Sequence, residues 1–182
     1  MSFSEHSNAS TESLSNLTID IVRDPGVCGE WLNRYCKNAD TNEILYYCDV
    51  SDDSKLEIHR GNKYGPIIAH SRMCSSKPGA TDILVTDRRS RGRVNHIHHD
   101  DRTAGTHFVE NGRKYHWNGQ TELVEDVTGA VLAQLSFNNS LDGSSGKLII
   151  KPEAHYDHDL VDPIVMTALI VQERKDENRS WF

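Results

Sequence analysis

Asp162-Pro163-Ile164-Val165-Met166-Thr167-Ala168-Leu169-Ile170-Val171 runs directly into Gln172-Glu173-Arg174-Lys175-Asp176-Glu177. Asp162 is a residue type that caps free backbone N–H groups, and proline fits a first helical turn, so the pair predicts a helix over 162–175. Between Ile164 and Val171 only Thr167 is even mildly polar. A helix with no hydrophilic face must be covered on every side. Its apolar part rises only about 13 Å, less than half of a bilayer's hydrocarbon core, so it reads as a core helix and not a membrane span.

The cover has to come from upstream, and the pattern there is β. Leu17, Ile19 and Ile21 alternate with polar neighbours. Strand-like runs follow at 43–48, 55–59, 66–71, 82–86, 93–99, 106–109, 114–117, 122–125, 130–137 and 147–151, separated by turn residues. Asn111-Gly112 and Thr128-Gly129 sit between such runs, where hairpin loops belong. Trp31, Leu32 and Tyr35 have spacing that suits a short helix on the outside of the sheet, and Trp117 reads as a core residue. The expected fold is mainly β: a closed or nearly closed barrel of roughly ten to twelve strands around the buried C-terminal helix. Closure would also remove the exposed edges that make open sheets aggregate.

The order of these pieces is informative. Thr106-His107-Phe108-Val109-Glu110-Asn111-Gly112-Arg113-Lys114-Tyr115-His116-Trp117 is followed by Glu122-Leu123-Val124 and by Asp126-Val127-Thr128-Gly129-Ala130-Val131-Leu132-Ala133. Then come Gly146-Lys147-Leu148-Ile149-Ile150 and the helix. This succession resembles small fungal proteins with a tubby C-terminal-like domain, an architecture shared with phospholipid scramblases and plant LURP-one-related proteins. The resemblance extends over about residues 104–176, with residues 15–100 compatible in strand pattern. It implies a β-barrel threaded by its C-terminal helix and leans toward a binding module. It does not imply a reaction, because fold alone does not fix function. The basic cavity of tubby proteins has no residue-by-residue counterpart here. Cys28, Cys36, Cys48 and Cys74 do not form the scramblase cysteine cluster, and the acids around Asp157 and Asp159 are too few for a scramblase-like calcium stretch.

Composition sets outer limits. The 182 residues suit one domain over 14–177, preceded by a polar tail at 1–13 that is expected to be disordered. No apolar signal segment opens the sequence, so an intracellular, cytoplasmic location is expected. The four cysteines lack C-x-x-C spacing and read as reduced, with a Cys28–Cys36 bridge the open alternative. A net charge of -7 argues against nucleic acid and anionic membrane as general partners. A small molecule or a lipid is the expected partner, and oligomeric state is left open.

Three clusters carry chemistry. Arg88, Arg89, Arg91 and Arg93 place four guanidinium groups within six residues, suited to an anionic ligand or to a solvated loop balanced by Asp87, Asp100 and Asp101. His96 and His98, two apart on one strand, project to the same face about 6.6 Å apart and with Asp100 form a candidate metal set. The cupin pattern is not met, since Asp100, Asp101 and Arg102 stand where its glutamate belongs. His155, Tyr156, Asp157 and His158 precede the helix, either as a capping loop or as acid–base groups that His96 and His98 could join across a barrel mouth. Gly143-Ser144-Ser145-Gly146-Lys147 lacks phosphate-loop spacing and reads as a turn. Two functions follow: a small-molecule or lipid-binding module, or a small enzyme of cyclase or isomerase type working by acid–base or metal-assisted chemistry. No cofactor is expected, with a divalent metal at the histidines as the open alternative.

Overall fold

The computed structural model describes residues 15–24, 33–50, 55–77, 80–86, 94–100, 105–119, 121–137 and 144–177. The expected tail at 1–13, the arginines 88, 89, 91 and 93, and Cys28, Trp31 and Leu32 lie outside them. Among the described residues, twelve strands precede two helices. The strands are β1 (Leu17–Arg23), β2 (Arg34–Asn38), β3 (Ile44–Val50), β4 (Lys55–Arg60), β5 (Ile67–Lys77) and β6 (Ala80–Thr86). They continue as β7 (Val94–Asp100), β8 (Gly105–Glu110), β9 (Arg113–Asn118), β10 (Glu122–Glu125), β11 (Val131–Ser136) and β12 (Ser144–Ile150). The helices are α1 (Pro152–His155) and α2 (His158–Glu177).

The fold is mainly β and antiparallel, with the helix at its C-terminal end. Each strand pairs with its neighbour in sequence, and β1 also pairs with β12, Leu17 lying opposite Ile150 and Ile19 opposite Leu148. The order of pairing therefore returns to its start. Period-two alternation decides what faces inward: Ile19 and Ile21 on β1, Tyr115 and Trp117 on β9, and Leu148 and Ile150 on β12 are buried, while their flanking residues are not. One turn explains itself locally. Asn111 and Gly112 both have positive φ, 49° and 77°, the backbone a two-residue hairpin requires and the reason this dipeptide stands between β8 and β9.

Helix α2 fills the interior. Every residue from Ile164 to Gln172 is at most 4 % exposed, so the all-round apolar run is wrapped all round. Its partners come from well-separated parts of the pairing order: it packs on β8 and β12, Tyr46 of β3 and Arg60 of β4 bind Asp162, and Trp117 of β9 binds Thr167. From His158 to Gln172 the helix rises about 21 Å, close to the length of a seven-residue strand. It thus traverses the depth of the sheet, entering beside the ends of β4 and β12 and reaching Gly146 at the start of β12.

Three local expectations are corrected. Helix α2 starts at His158, so Pro163 lies inside it and Asp162 is not its cap. The carboxylate of Asp157 accepts the Asp159 N–H, and the Asp157 carbonyl accepts from Leu160; this earlier acid satisfies the first free donors. The segment before the expected helix is likewise no open loop, since 152–155 forms the short α1. Tyr35 lies on β2 and not on a helix: Arg34 and Cys36 are buried while Tyr35 and Lys37 are only partly so. An inward-facing arginine hid that alternation in the sequence. Cys36 and Cys48 are buried free thiols.

Candidate functional site

The end of the sheet where α2 enters carries a cleft of about 580 Å³. Strand direction gathers its walls: the start of β1 (Leu17), the turn between β2 and β3, the start of β3 (Ile44, Leu45, Tyr46), the end of β4 (Arg60), then His155 of α1 and Val161 and Asp162 of α2. Leu17, Ile44, Leu45 and Val161 supply an apolar lining, and a few polar groups converge within it. That combination is the usual composition of a small-molecule site.

The polar floor is built around Asp162. Its Oδ1 accepts the Tyr46 hydroxyl at 2.7 Å, and its Oδ2 pairs with Arg60 Nη2. The Asp162 side chain is 14 % exposed and that of Arg60 38 %, so the ion pair is covered on the carboxylate side and open on the guanidinium side. Arg60 also lies over the Tyr46 ring, 5.8 Å from its centroid. Burial pushes the Tyr46 phenol well above the ordinary tyrosine value; the neighbouring carboxylate raises it further, while Arg60 acts in the opposite sense. Tyr46 is thus held neutral, as a fixed hydrogen-bond donor to Asp162. Arg60 keeps donors directed away from Asp162, since a guanidinium carries five N–H groups and one carboxylate oxygen takes one of them.

His155 adds a second feature. Its ring stacks on Tyr156 with centroids 5.0 Å apart, and its Nδ1 is shut off from solvent without a hydrogen-bond partner. A buried polar atom left unpaired costs about 1–3 kcal/mol. Tyr156 itself is exposed.

The sequence-derived site residues separate into groups. Of His155, Tyr156, Asp157 and His158, only His155 lines the cleft; Asp157 organises the start of α2, and His158 is its first residue. His96 and His98 stand on β7, which begins near the cleft end at Val94 and runs away from it to Asp100, since Thr86 pairs with Val94 and Ala80 with Asp100. Strand polarity sets His96 nearer the cleft end of the sheet than His98. The side chains of His96, His98 and Asp100 lie outside the described ones, as do the four arginines. Among the described residues no group of three or more His, Cys, Asp or Glu side chains is arranged to hold a metal ion, and no helix is long and apolar enough to cross a membrane. Tyr46, Arg60 and Asp162 escaped the sequence reading because their meeting depends on residues more than a hundred positions apart.

A crystal structure of a protein from Arabidopsis thaliana is similar to this chain, with a TM-score of 0.51 at 11 % identity, over 90 % of this chain and 93 % of that one. At this identity the likeness concerns the fold alone. No family model and no curated protein matches the chain.

Proposed function

We propose that the protein is a binding module for a small amphipathic molecule, built on a tubby-like barrel, with the helix-entry cleft as its site. The observation that carries this reading is the cleft of about 580 Å³ in which an apolar wall meets the outward donors of Arg60. The volume suits a drug-sized ligand or the head of a lipid. Arg60 offers N–H donors to a carboxylate, phosphate or carbonyl, while Asp162 and Tyr46 hold its plane in place. Leu17, Ile44, Leu45 and Val161 take the ligand's hydrocarbon part. The order of strand motifs between residues 104 and 176, and the antiparallel sheet around a C-terminal helix, support the tubby-like assignment.

The test is a fragment screen by protein NMR, including acyl carboxylates and lipid headgroup analogues, with isotope-labelled methyls on Leu17, Ile44, Leu45 and Val161. Hits are expected to shift these four methyls together and to lose affinity at least tenfold in Leu17→Trp, which fills the cleft. Hits that map elsewhere, or that bind Leu17→Trp equally well, overturn the assignment.

A further inference from the structure

The charges around the helix-entry cleft are unfavourable to an anion, and this narrows the class of ligand it takes. The inference rests on the cleft being the binding site. Apart from tyrosine, its ionisable lining consists of Glu43, Arg60, His155 and Asp162. The guanidinium of Arg60 is already paired with Asp162. Glu43, exposed between β2 and β3, brings a second carboxylate. With imidazole neutral, one cation therefore faces two carboxylates. The flanking turns add Asp40 on one side and Lys63 on the other, which offset each other. The segment from Lys151 to Asp159 sets Glu153, Asp157 and Asp159 against one lysine.

Asp162 is a fixed charge and cannot swing aside for a competing anion. Its Oδ1 is held by the Tyr46 hydroxyl at 2.7 Å, and its side chain is only 14 % exposed on a helix that fills the interior. An anion brought to the remaining donors of Arg60 thus stays within reach of a like charge that salt screens poorly, because it is partly buried. A neutral carbonyl oxygen accepts from the same donors without that repulsion.

We propose that the cleft selects uncharged carbonyl-bearing amphiphiles, such as acyl amides and esters, over fatty carboxylates and phosphates. Asp162 and Glu43 are its specificity-determining residues. The ligand's acyl chain lies against Leu17, Ile44, Leu45 and Val161, and its carbonyl accepts from Arg60.

Octanamide and octanoate test this, since they share a chain and differ in the charge of the head. Each is titrated by protein NMR, at low salt, into protein with labelled methyls on Leu17, Ile44, Leu45 and Val161. The measurement is made at pH 8, above the ordinary histidine range, so that imidazole charge does not enter. Octanamide is expected to bind at least tenfold more tightly, and the ratio should contract as salt rises from about 20 to about 300 mM. It should also fall at least threefold in Glu43→Gln and at least tenfold in Asp162→Asn, whose amide oxygen still accepts a hydrogen bond. Taking the ratio within each variant cancels any general loss of affinity. Folding is checked by circular dichroism, and Glu43→Gln, on an exposed turn, carries the test if Asp162→Asn does not fold. If neither compound moves the four methyls, the cleft fails as a site and the selectivity with it. If both bind there equally, or octanoate binds more tightly, the selectivity alone is overturned. A preference for octanamide that persists unchanged in the folded variants and in salt overturns its electrostatic origin.

Discussion

Thr167→Val probes the contact between helix and sheet most directly. Thr167 is fully buried in the middle of α2; its Oγ1 accepts the Trp117 indole N–H at 2.9 Å and donates to the Pro163 carbonyl at 2.8 Å. Valine keeps the shape and removes the acceptor. Trp117 is 1 % exposed, so its N–H is left without water or partner, at a cost of about 1–3 kcal/mol. The extra methyl returns about 0.8 kcal/mol by burial. The net expectation is a loss of up to about 2 kcal/mol. With a urea slope of about 2 kcal/mol per molar, the unfolding midpoint should fall by up to roughly 1 M. The stronger test is the double-mutant cycle with Trp117→Phe, in which the stranded donor no longer exists. There Thr167→Val should be nearly neutral, giving a coupling of up to about 2 kcal/mol between the two sites. Equal costs in both backgrounds, within about 0.3 kcal/mol, would refute the idea that this hydrogen bond fixes the helix in the sheet.

Three further outcomes are expected. Cys36 and Cys48 are fully buried, and burial pushes the Cys36 thiol up to about 12 against the opposing pull of Arg34; peptides carrying them should stay unmodified by iodoacetamide at pH 8 in the native state and be alkylated in urea. Burial also raises Tyr46, and raises Tyr47 to about 12. Phenols with folded values above the unfolded value of about 10 contribute stability that is complete below pH 10 and is lost as pH rises through the folded value. Alkaline denaturation should thus begin near pH 10, with a shallower decline in Tyr46→Phe; an identical pH profile for that variant would exclude its contribution. At Gly146 an added Cβ would stand 2.6 Å from the Ser136 carbonyl oxygen and 2.9 Å from Gln172 Oε1. Gly146→Ala should therefore destabilise by about 1–3 kcal/mol, seen as a lower thermal midpoint, and an unchanged midpoint would deny this close approach of α2 to β12.

Legibility in the sequence followed the physics of each signal. Ile164–Val171 announced a buried helix because only Thr167 interrupts its apolar run, and β1 and β9 announced themselves by alternation. In the sequence the start of α2 is displaced four residues because Asp162-Pro163 imitates a cap and first turn, while the acid that serves is Asp157. Strand β2 is hidden there because its inward positions are Arg34 and Cys36, an arginine where the pattern wants a hydrophobe. Of the candidate site, His155 was legible as a polar residue beside the helix. Tyr46 and Arg60 were not, since ordinary strand residues acquire meaning only when folding brings Asp162 to them.

The place of α2 after all twelve strands fixes a timetable. β1 must wait for β12 to pair, and the residues that fill the interior follow later still. On a ribosome the inner faces of twelve consecutive strands emerge before the segment that keeps water off them. Contacts of such long sequence separation close slowly, on the millisecond-to-second scale typical of β topologies, and until then paired strands with bare apolar faces are open to association with other chains. Synthesis that halts before Ile164 would leave the inner faces with nothing to pack around, so the integrity of the product depends on the two or three helical turns from Ile164 to Gln172.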